Sequence, residues 1–140
     1  MEFKKLDFGY FIRLERGEFV MKSLLEFLDE KQIQGGVLNG IGAVEHVTIG
    51  YFELSKKEYL QKKFSDIYEV VSFQGNISLV DNKSFIHAHV VLGDRNYDTY
   101  AGHFFEGKVA VTMELFVHVF EKALKRGPDK LTSLNLLKLD

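Results

Sequence analysis

The middle of the chain contains two apolar, aromatic segments on either side of a turn: residues 85–105 have the sequence FIHAHVVLGDRNYDTYAGHFF. Residues 85–92 and 97–105 are rich in β-branched and aromatic side chains, which favour strands. The Gly-Asp-Arg-Asn segment at 93–96 is typical of a turn. These residues therefore predict an antiparallel β-hairpin, and it carries three of the five histidines in the chain.

Strand signals continue on both sides of this hairpin. Short runs of the same residue types predict further strands at 8–14, 37–44, 46–54, 68–73 and 76–80. Gly75 is a predicted bulge between the last two, and Asp81-Asn82-Lys83 is a predicted hairpin turn.

The remaining segments are more varied. Residues 109–120 are apolar on both faces, which predicts a central strand. Residues 134–139 are expected to add a last edge strand. The charged segment 55–65 is compatible with a loop, an exposed edge or a short helix.

One helix is predicted early in the chain. Residues 18–33 place Val20, Leu24 and Leu28 on one helical face, and Gly35-Gly36 is a strong stop signal. One main amphipathic helix followed by hairpin-linked strands predicts an α+β fold with a largely antiparallel or mixed sheet, in a single domain over residues 1–140. Since one helix covers little of such a sheet, other subunits of a closed oligomer are expected to cover the rest.

Composition excludes several classes of function. The 140 residues contain no cysteine, so disulfides, thiolate nucleophiles and cysteine metal sites are excluded. Eighteen Lys and Arg against twenty Asp and Glu give a net charge of −2. This charge argues against a positive electrostatic field over the whole chain that would attract nucleic acid. Without an apolar run of about 20 residues, no membrane span is expected. Charges interrupt the apolar residues at the N-terminus, so the expected location is cytoplasmic.

The histidines are the strongest chemical signal. His87 and His89 are two residues apart in a predicted strand, so both project from one face. If the turn has three residues, His87 lies opposite His103 and all three imidazoles share that face. A loop with an even number of residues would turn His103 to the other face, so convergence requires an odd loop or a bulge at Gly102.

Three imidazoles with a free coordination position are typical of a catalytic zinc site, although they also suit iron, nickel or copper. The alternative is that they are polar side chains of a half-buried sheet. His46 and His118 fall in other predicted strands and are interpreted as structural or exposed.

Glu114 lies among apolar residues, where an unpaired carboxylate is costly. It is either an acid/base or supporting group near the metal, or an edge or interface residue that meets water or a cation. Arg13 is a candidate partner for it, or a candidate ligand for a substrate carboxylate.

Residues 75–117, GNISLVDNKSFIHAHVVLGDRNYDTYAGHFFEGKVAVTMELFV, resemble the PPC domain family ("plants and prokaryotes conserved"). The segments RLERGE at 13–18, GVLNGIGAVEHVTIGYF at 36–52 and RGPDKLTSLNLLKL at 126–139 are also similar to the family. Ala101 departs from it, since the family often has Gly before Gly-His.

The resemblance implies an α+β homotrimer of the stand-alone prokaryotic type, a type commonly described as DNA-binding. It places the family's histidine triplet on His87, His89 and His103. The AT-hook that precedes the domain in plants is absent from this sequence. The fold is also linked to acetolactate decarboxylase, whose zinc is similarly held by an HxH pair and a further His.

Three functional hypotheses follow. The first is a DNA-binding or regulatory module with a three-histidine site for Zn²⁺ or another divalent transition metal. The second is a metal-dependent lyase or hydrolase acting on a small carbonyl or carboxylate substrate, with Glu114 and Arg13 as catalytic residues. The third is a trimer with a structural ion and protein partners. Two basic clusters could contact phosphate or are solvated surface: Lys56, Lys57, Lys62 and Lys63, and Lys122, Lys125, Arg126 and Lys130.

Overall fold

A computed structural model describes residues 1–139, which form nine strands and one helix. The elements in chain order are β1 (Glu2–Leu6), β2 (Gly9–Glu15), α1 (Val20–Glu30), β3 (Gly36–Glu53), β4 (Glu58–Phe64), β5 (Tyr68–Val80), β6 (Lys83–Gly93), β7 (Thr99–Val119), β8 (Arg126–Pro128) and β9 (Asn135–Leu137). The predicted α+β class is confirmed. No helix within residues 1–139 is long and apolar enough to cross a bilayer.

Four strands pair in a closed circuit. β3 pairs with β5, β5 with β6, β6 with β7, and β7 again with β3, all antiparallel. β2 and β1 extend the sheet beyond the second half of β7, and β4 lies along the second half of β3. Since β7 pairs with three strands, the prediction that 109–120 is central is confirmed. Closure leaves few unpaired backbone groups around the circuit.

Alternation along the strands separates an interior from an outer face. In β6, Ile86, Ala88, Val90 and Leu92 are buried, whereas His87 and His89 between them are not. The interior side chains form one core with the apolar face of α1, which contributes Val20, Leu24, Phe27 and Leu28. The polar positions of β6 are therefore displayed on the outer face of the closed sheet.

Several predicted boundaries differ from the structure. The segments 37–44 and 46–54 form one strand, β3, and 97–105 and 109–120 are joined in β7. Bulges absorb the interruptions without ending the strands, and His46 takes a positive φ of 49° at one of them. The bulge predicted at Gly75 lies instead between Val70 and Ser72.

The edges account for the remaining differences. β1 was not predicted, because four of its five residues are exposed and no apolar alternation marks it. The charged segment 55–65 contains an edge strand, β4, which was one of its three predicted states. The last predicted strand, at 134–139, is β9, and it pairs with β8 in a separate two-stranded sheet.

The turn between β5 and β6 agrees with its sequence. Val80 pairs with Lys83, so Asp81 and Asn82 form a two-residue loop, with φ of 50° and 61°. Positive φ at both positions is the requirement of a type I′ turn, which Asp and Asn tolerate. This turn sets the register of β6 against β5.

The N-terminus of α1 is capped from a distant strand. Its N-cap residue, Phe19, makes no side-chain cap. Instead Glu106 of β7 accepts hydrogen bonds from the backbone N–H groups of Met21 and Lys22, at 2.8 and 3.1 Å. A carboxylate at this end also interacts favourably with the helix dipole. The cap therefore joins α1 to the strand that carries His103.

Removing this cap is expected to destabilise the fold modestly. Glu106→Ala should lower the free energy of unfolding by about 1 kcal/mol, as the loss of an N-cap does elsewhere. Urea denaturation would measure the change. Glu26→Ala, on the exposed face of the same helix, is the matched control and should shift the midpoint much less. Equal effects of the two substitutions would contradict the cap.

Candidate metal centre

His87, His89 and His103 converge on the outer face where β6 meets β7. Each offers one ring nitrogen, and these three atoms lie within 4.8 Å of one another. The ring centroids are 5.2 Å apart for His87–His89, 5.2 Å for His87–His103 and 5.6 Å for His89–His103. The predicted convergence of the three imidazoles is therefore confirmed.

The register that produces it differs from the predicted one. His103 lies opposite His89 rather than His87, and Gly93 pairs with Thr99. The loop thus has five residues, 94–98, instead of three. Both loop lengths are odd, so His103 projects from the same face as His87 and His89, as predicted for a loop with an odd number of residues.

The side chain of Asp94 explains the longer loop. Its Oδ1 accepts hydrogen bonds from the N–H groups of Asn96 and Asp98, at 2.8 and 3.0 Å. This Asx-type arrangement holds the five-residue loop together. The left-handed residue is accordingly Tyr97, with φ of 68°, and not Asn96 as the shorter loop would require.

Two aromatic rings hold His103 in place. The Tyr59 ring of β4 lies 4.8 Å from the His103 ring, centroid to centroid, and the Phe105 ring lies 4.8 Å away on its own strand. Sequence reasoning did not identify Tyr59, because nothing in the charged segment around it indicates contact with a residue 44 positions later. The two rings restrict the rotamers of His103, which favours a fixed ligand geometry.

The electrostatic environment favours the neutral form of two of the three imidazoles, those of His87 and His103. Burial lowers the pKa of His103 to about 4, with the neighbouring His87 and His89 adding to the effect. Burial also lowers the pKa of His87, assisted by the charge of Arg126 and by His89. Neutral imidazole is the form that binds a metal, because protonation removes the lone pair.

An unsatisfied nitrogen provides a further test of fit. The Nδ1 atom of His103 is buried and has no hydrogen-bond partner among the described residues. A buried polar atom without a partner is uncommon and costly. Together with the mutual approach of the three rings, it shows that these residues fit a transition metal ion.

A cavity of about 410 Å³ adjoins the centre, and His87 and His103 are both among its lining residues. Tyr59, Phe85 and Phe105 line it from the sheet, and Arg126 and Leu136 line it from the β8–β9 hairpin. Arg126 was predicted only as part of a basic cluster. Its position depends on the chain returning to β5 after β7, which no local pattern indicates.

Glu114 and Arg13 lie elsewhere. They are directly opposite in the β2–β7 register, but Arg13 Nη2 pairs with Glu2 at 2.7 Å and with Glu15 at 3.3 Å. Glu114 is half-buried and lines a separate cavity of about 290 Å³ with Phe11 and other residues. Neither residue lines the histidine cavity. Their catalytic roles stay predictions.

The lowered pKa values predict how acid affects the metal-free protein. Its free energy of unfolding should fall as the pH drops from about 6.5 towards 4, because the unfolded chain protonates its histidines before the folded state protonates His103. Above that window both states are neutral at this position and the contribution vanishes. Urea titrations at several pH values would measure the slope.

A matched pair of variants assigns this slope. His103→Asn should make the decline shallower, whereas His46→Asn, at an exposed position with positive φ that Asn tolerates, should leave it unchanged. An identical slope in His103→Asn and the unsubstituted protein would exclude His103 as its source.

Comparisons with known proteins find solved structures with the same fold. A "putative dna binding protein" from Bacteroides thetaiotaomicron has a TM-score of 0.95 and 28% identity, covering 98% of this chain and 96% of its own. A "metal-containing protein" from Archaeoglobus fulgidus has a TM-score of 0.87 and 35% identity, and the match covers 98% of this chain and 96% of that protein. A plant- and prokaryote-conserved protein from Pyrococcus horikoshii has 0.84 and 33%, covering 94% and 92%.

Among curated proteins, none matches the chain. The family model of the Plants and Prokaryotes Conserved domain, abbreviated PCC, matches residues 2–121. That range includes all three histidines and every strand from β1 to β7. The match confirms the resemblance seen in the sequence: the chain belongs to the Plants and Prokaryotes Conserved (PCC) domain family.

Proposed function

We propose that this protein is a metal-binding PCC-domain protein in which His87, His89 and His103 hold one divalent transition metal ion, with zinc as the expected ion. The convergence of the three ring nitrogens within 4.8 Å carries the proposal. The similarity to the archaeal protein named as metal-containing supports it. Since the chain has no cysteine, histidine is the ligand type that favours transition metals here.

The site suits chemistry at a metal ion as well as ion storage. An ion held by His87, His89 and His103 would supply a Lewis acid able to polarise a carbonyl group or to lower the pKa of a water molecule. The chain's own residues supply a fixed His103 and a cavity with apolar walls beside it. This arrangement favours the hypothesis of a lyase or hydrolase for a small carbonyl or carboxylate substrate.

Glu114 and Arg13 enter this hypothesis differently from the histidines. Neither residue lines the histidine cavity of its own chain. For either to act at this centre, a neighbouring subunit of an oligomer would have to place it there. The enzymatic hypothesis therefore depends on the oligomeric state, which the metal proposal does not.

Metal analysis of the purified protein tests the proposal directly. One transition metal ion per chain is expected, lost on prolonged chelation and restored by adding zinc. A protein that contains no stoichiometric metal, and that takes up none after chelation and zinc addition, would contradict it.

The second candidate function is DNA binding, which is favoured by the similarity to the "putative dna binding protein". Contact with phosphate requires exposed cations, and four of them lie on and beside β4: Lys56, Lys57, Lys62 and Lys63. The net charge of −2 limits non-specific affinity, which arises from phosphate neutralisation. A gel shift at about 50 mM salt is the test, and absence of a shifted band there would exclude direct contact.

We also expect a homotrimer. The outer face exposes large apolar side chains, with Ile41 59%, Val71 57% and Val111 65% exposed, and a subunit contact would cover such residues. Light scattering should give a mass about three times the chain mass of 16.1 kDa. A monomeric mass at micromolar concentration would contradict the trimer and, with it, any shared site.

A further inference from the structure

The cavity beside the histidines contains one permanent cation and no acidic side chain. Among residues 1–139, Arg126 is the only Lys or Arg that lines it, and no Asp or Glu does. Arg126 belongs to β8, outside residues 2–121 that the family model covers. We propose that this cavity binds a small monocarboxylate, whose carboxylate group Arg126 holds while another oxygen of the same molecule faces the three histidines.

Neutral groups anchor the guanidinium. Its Nε donates to Ser78 Oγ at 2.8 Å, its Nη1 to the backbone oxygen of Asn135 at 2.9 Å, and its Nη2 to Asn76 Oδ1 at 2.6 Å. Ser78 is fully buried, so this anchor is part of the folded interior. Three of the five N–H donors are used, and one remains on each terminal nitrogen.

The charge of Arg126 is not neutralised within the described chain. It makes no salt bridge with any residue in 1–139. The guanidinium carbon of Arg126 lies 5.2 Å from the centroid of the Phe85 ring, a cation–π contact that occupies none of its N–H donors. A partly buried cation with free donors and no counterion favours an anion in the cavity.

The position of Arg126 links it to the histidine centre. Asn76, which accepts its Nη2, lies opposite His87 in the β5–β6 register. Directly opposed residues of paired strands project from the same face, so Asn76 and His87 share a face. Arg126 and His87 line the same cavity, so one small molecule in it can contact both. A metal ion at the histidines would add a second positive charge to this cavity, which an anionic ligand would balance. The contact between the ligand's other oxygen and the histidine centre rests on the proposed function, whereas the contact between its carboxylate and Arg126 does not.

The walls define the class of ligand. Phe85, Phe105, Leu134 and Leu136 are apolar, and a volume of about 410 Å³ lies in the range of small-molecule sites. In the metal-free protein, one guanidinium with no second cation beside it balances a single negative charge, whereas a phosphate dianion would leave one charge uncompensated in the cavity. A carboxylate with a short hydrocarbon chain and an oxygen close to the carboxyl group therefore fits best.

Binding of hexanoate, 2-oxohexanoate, hexanamide and inorganic phosphate to the full-length protein tests this inference. Calorimetry on metal-free protein should show saturable hexanoate binding, with hexanamide and phosphate at least about tenfold weaker, because the carboxylate makes charge-assisted hydrogen bonds. After zinc is restored, 2-oxohexanoate should bind more tightly than hexanoate. If the metal-free protein bound hexanoate and hexanamide equally, or bound phosphate more tightly than hexanoate, the proposal would be overturned.

Variants assign the effect to Arg126. Arg126→Gln should weaken hexanoate binding about tenfold or more, while Lys125→Gln, the loss of an exposed charge one residue away, should not change it. Because Arg126 also anchors β8, Arg126→Lys is the second variant: it keeps the charge, loses the fork, and should bind hexanoate several-fold more weakly at a temperature where circular dichroism shows the variant folded. Unchanged hexanoate affinity in either folded Arg126 variant would overturn the proposal.

The two proposals fail in different ways. If the histidines hold no metal, the preference for the 2-oxo group disappears, but carboxylate binding at Arg126 persists. If Arg126 is not the anion site, zinc still binds stoichiometrically, and hexanoate affinity does not respond to the Arg126 substitutions. Zinc titration of Arg126→Gln, expected to match that of Lys125→Gln, separates the two.

Discussion

Replacing His89 with alanine is expected to lower the affinity for zinc by about 100-fold or more, since even the loss of a residue that only supports a metal ligand costs 10- to 100-fold. His89 is the most exposed of the three histidines, so its truncation leaves little void in the fold. Metal analysis after gel filtration and competition with a coloured chelator would measure the loss.

His118→Ala is the matched control for this substitution. His118 is also exposed, lies on β7 as His103 does, and is not part of the cluster. It should retain one zinc ion per chain with unchanged affinity. If His89→Ala retained zinc as tightly as His118→Ala, the ion would be bound elsewhere.

Zinc should also stabilise the folded state, because it binds the assembled site and not the separated histidines of the unfolded chain. At a free zinc concentration 100 times the dissociation constant, the expected gain is about 2.7 kcal/mol. The melting temperature of the unsubstituted protein should therefore rise with zinc, and that of His89→Ala should rise far less at the same concentration.

The three histidines of this site could be predicted from the sequence because they lie within one hairpin, close together along the chain. His87 and His89 need only a strand to share a face, and His103 needs only a hairpin of odd loop length. The exact register was wrong by two residues because a side chain of the loop, Asp94, holds two more residues in the turn. Because side chains alternate between the two faces of a strand, a register error of two residues leaves His103 on the same face as His87 and His89.

The surroundings of the site could not be predicted in the same way. Tyr59 of β4 contacts His103, and Arg126 of β8 lines the adjoining cavity, although β4 and β8 are far from the histidines in sequence. Their positions follow from the closure of β3 onto β7 and from the path of the chain after β7. Local periodicity says which residues form strands and nothing about which strands become neighbours.

The largest expected effect on stability comes from the interior beneath the site. Phe104 is 1% exposed, and its ring meets that of Phe73 edge to face, with centroids 5.1 Å apart and planes at 87°. Phe104→Ala should lower the free energy of unfolding by about 3–5 kcal/mol through lost burial and the cavity left behind. That is a large share of the 5–15 kcal/mol typical of a folded domain. Urea denaturation would measure it.

Phe104→Leu is the matched control, because it keeps much of the apolar volume and should cost clearly less than the alanine variant. Zinc affinity separates the two faces of β7. Phe104 points inward and His103 next to it points outward, so Phe104→Ala should weaken zinc binding far less than His89→Ala does, provided that the protein is folded at the temperature used. A Phe104→Ala variant as stable as Phe104→Leu would contradict the close packing of the interior. A collapse of zinc affinity in the folded Phe104→Ala protein would instead show that the position of His103 depends on the core behind it, and that the rings of Tyr59 and Phe105 are insufficient to hold it.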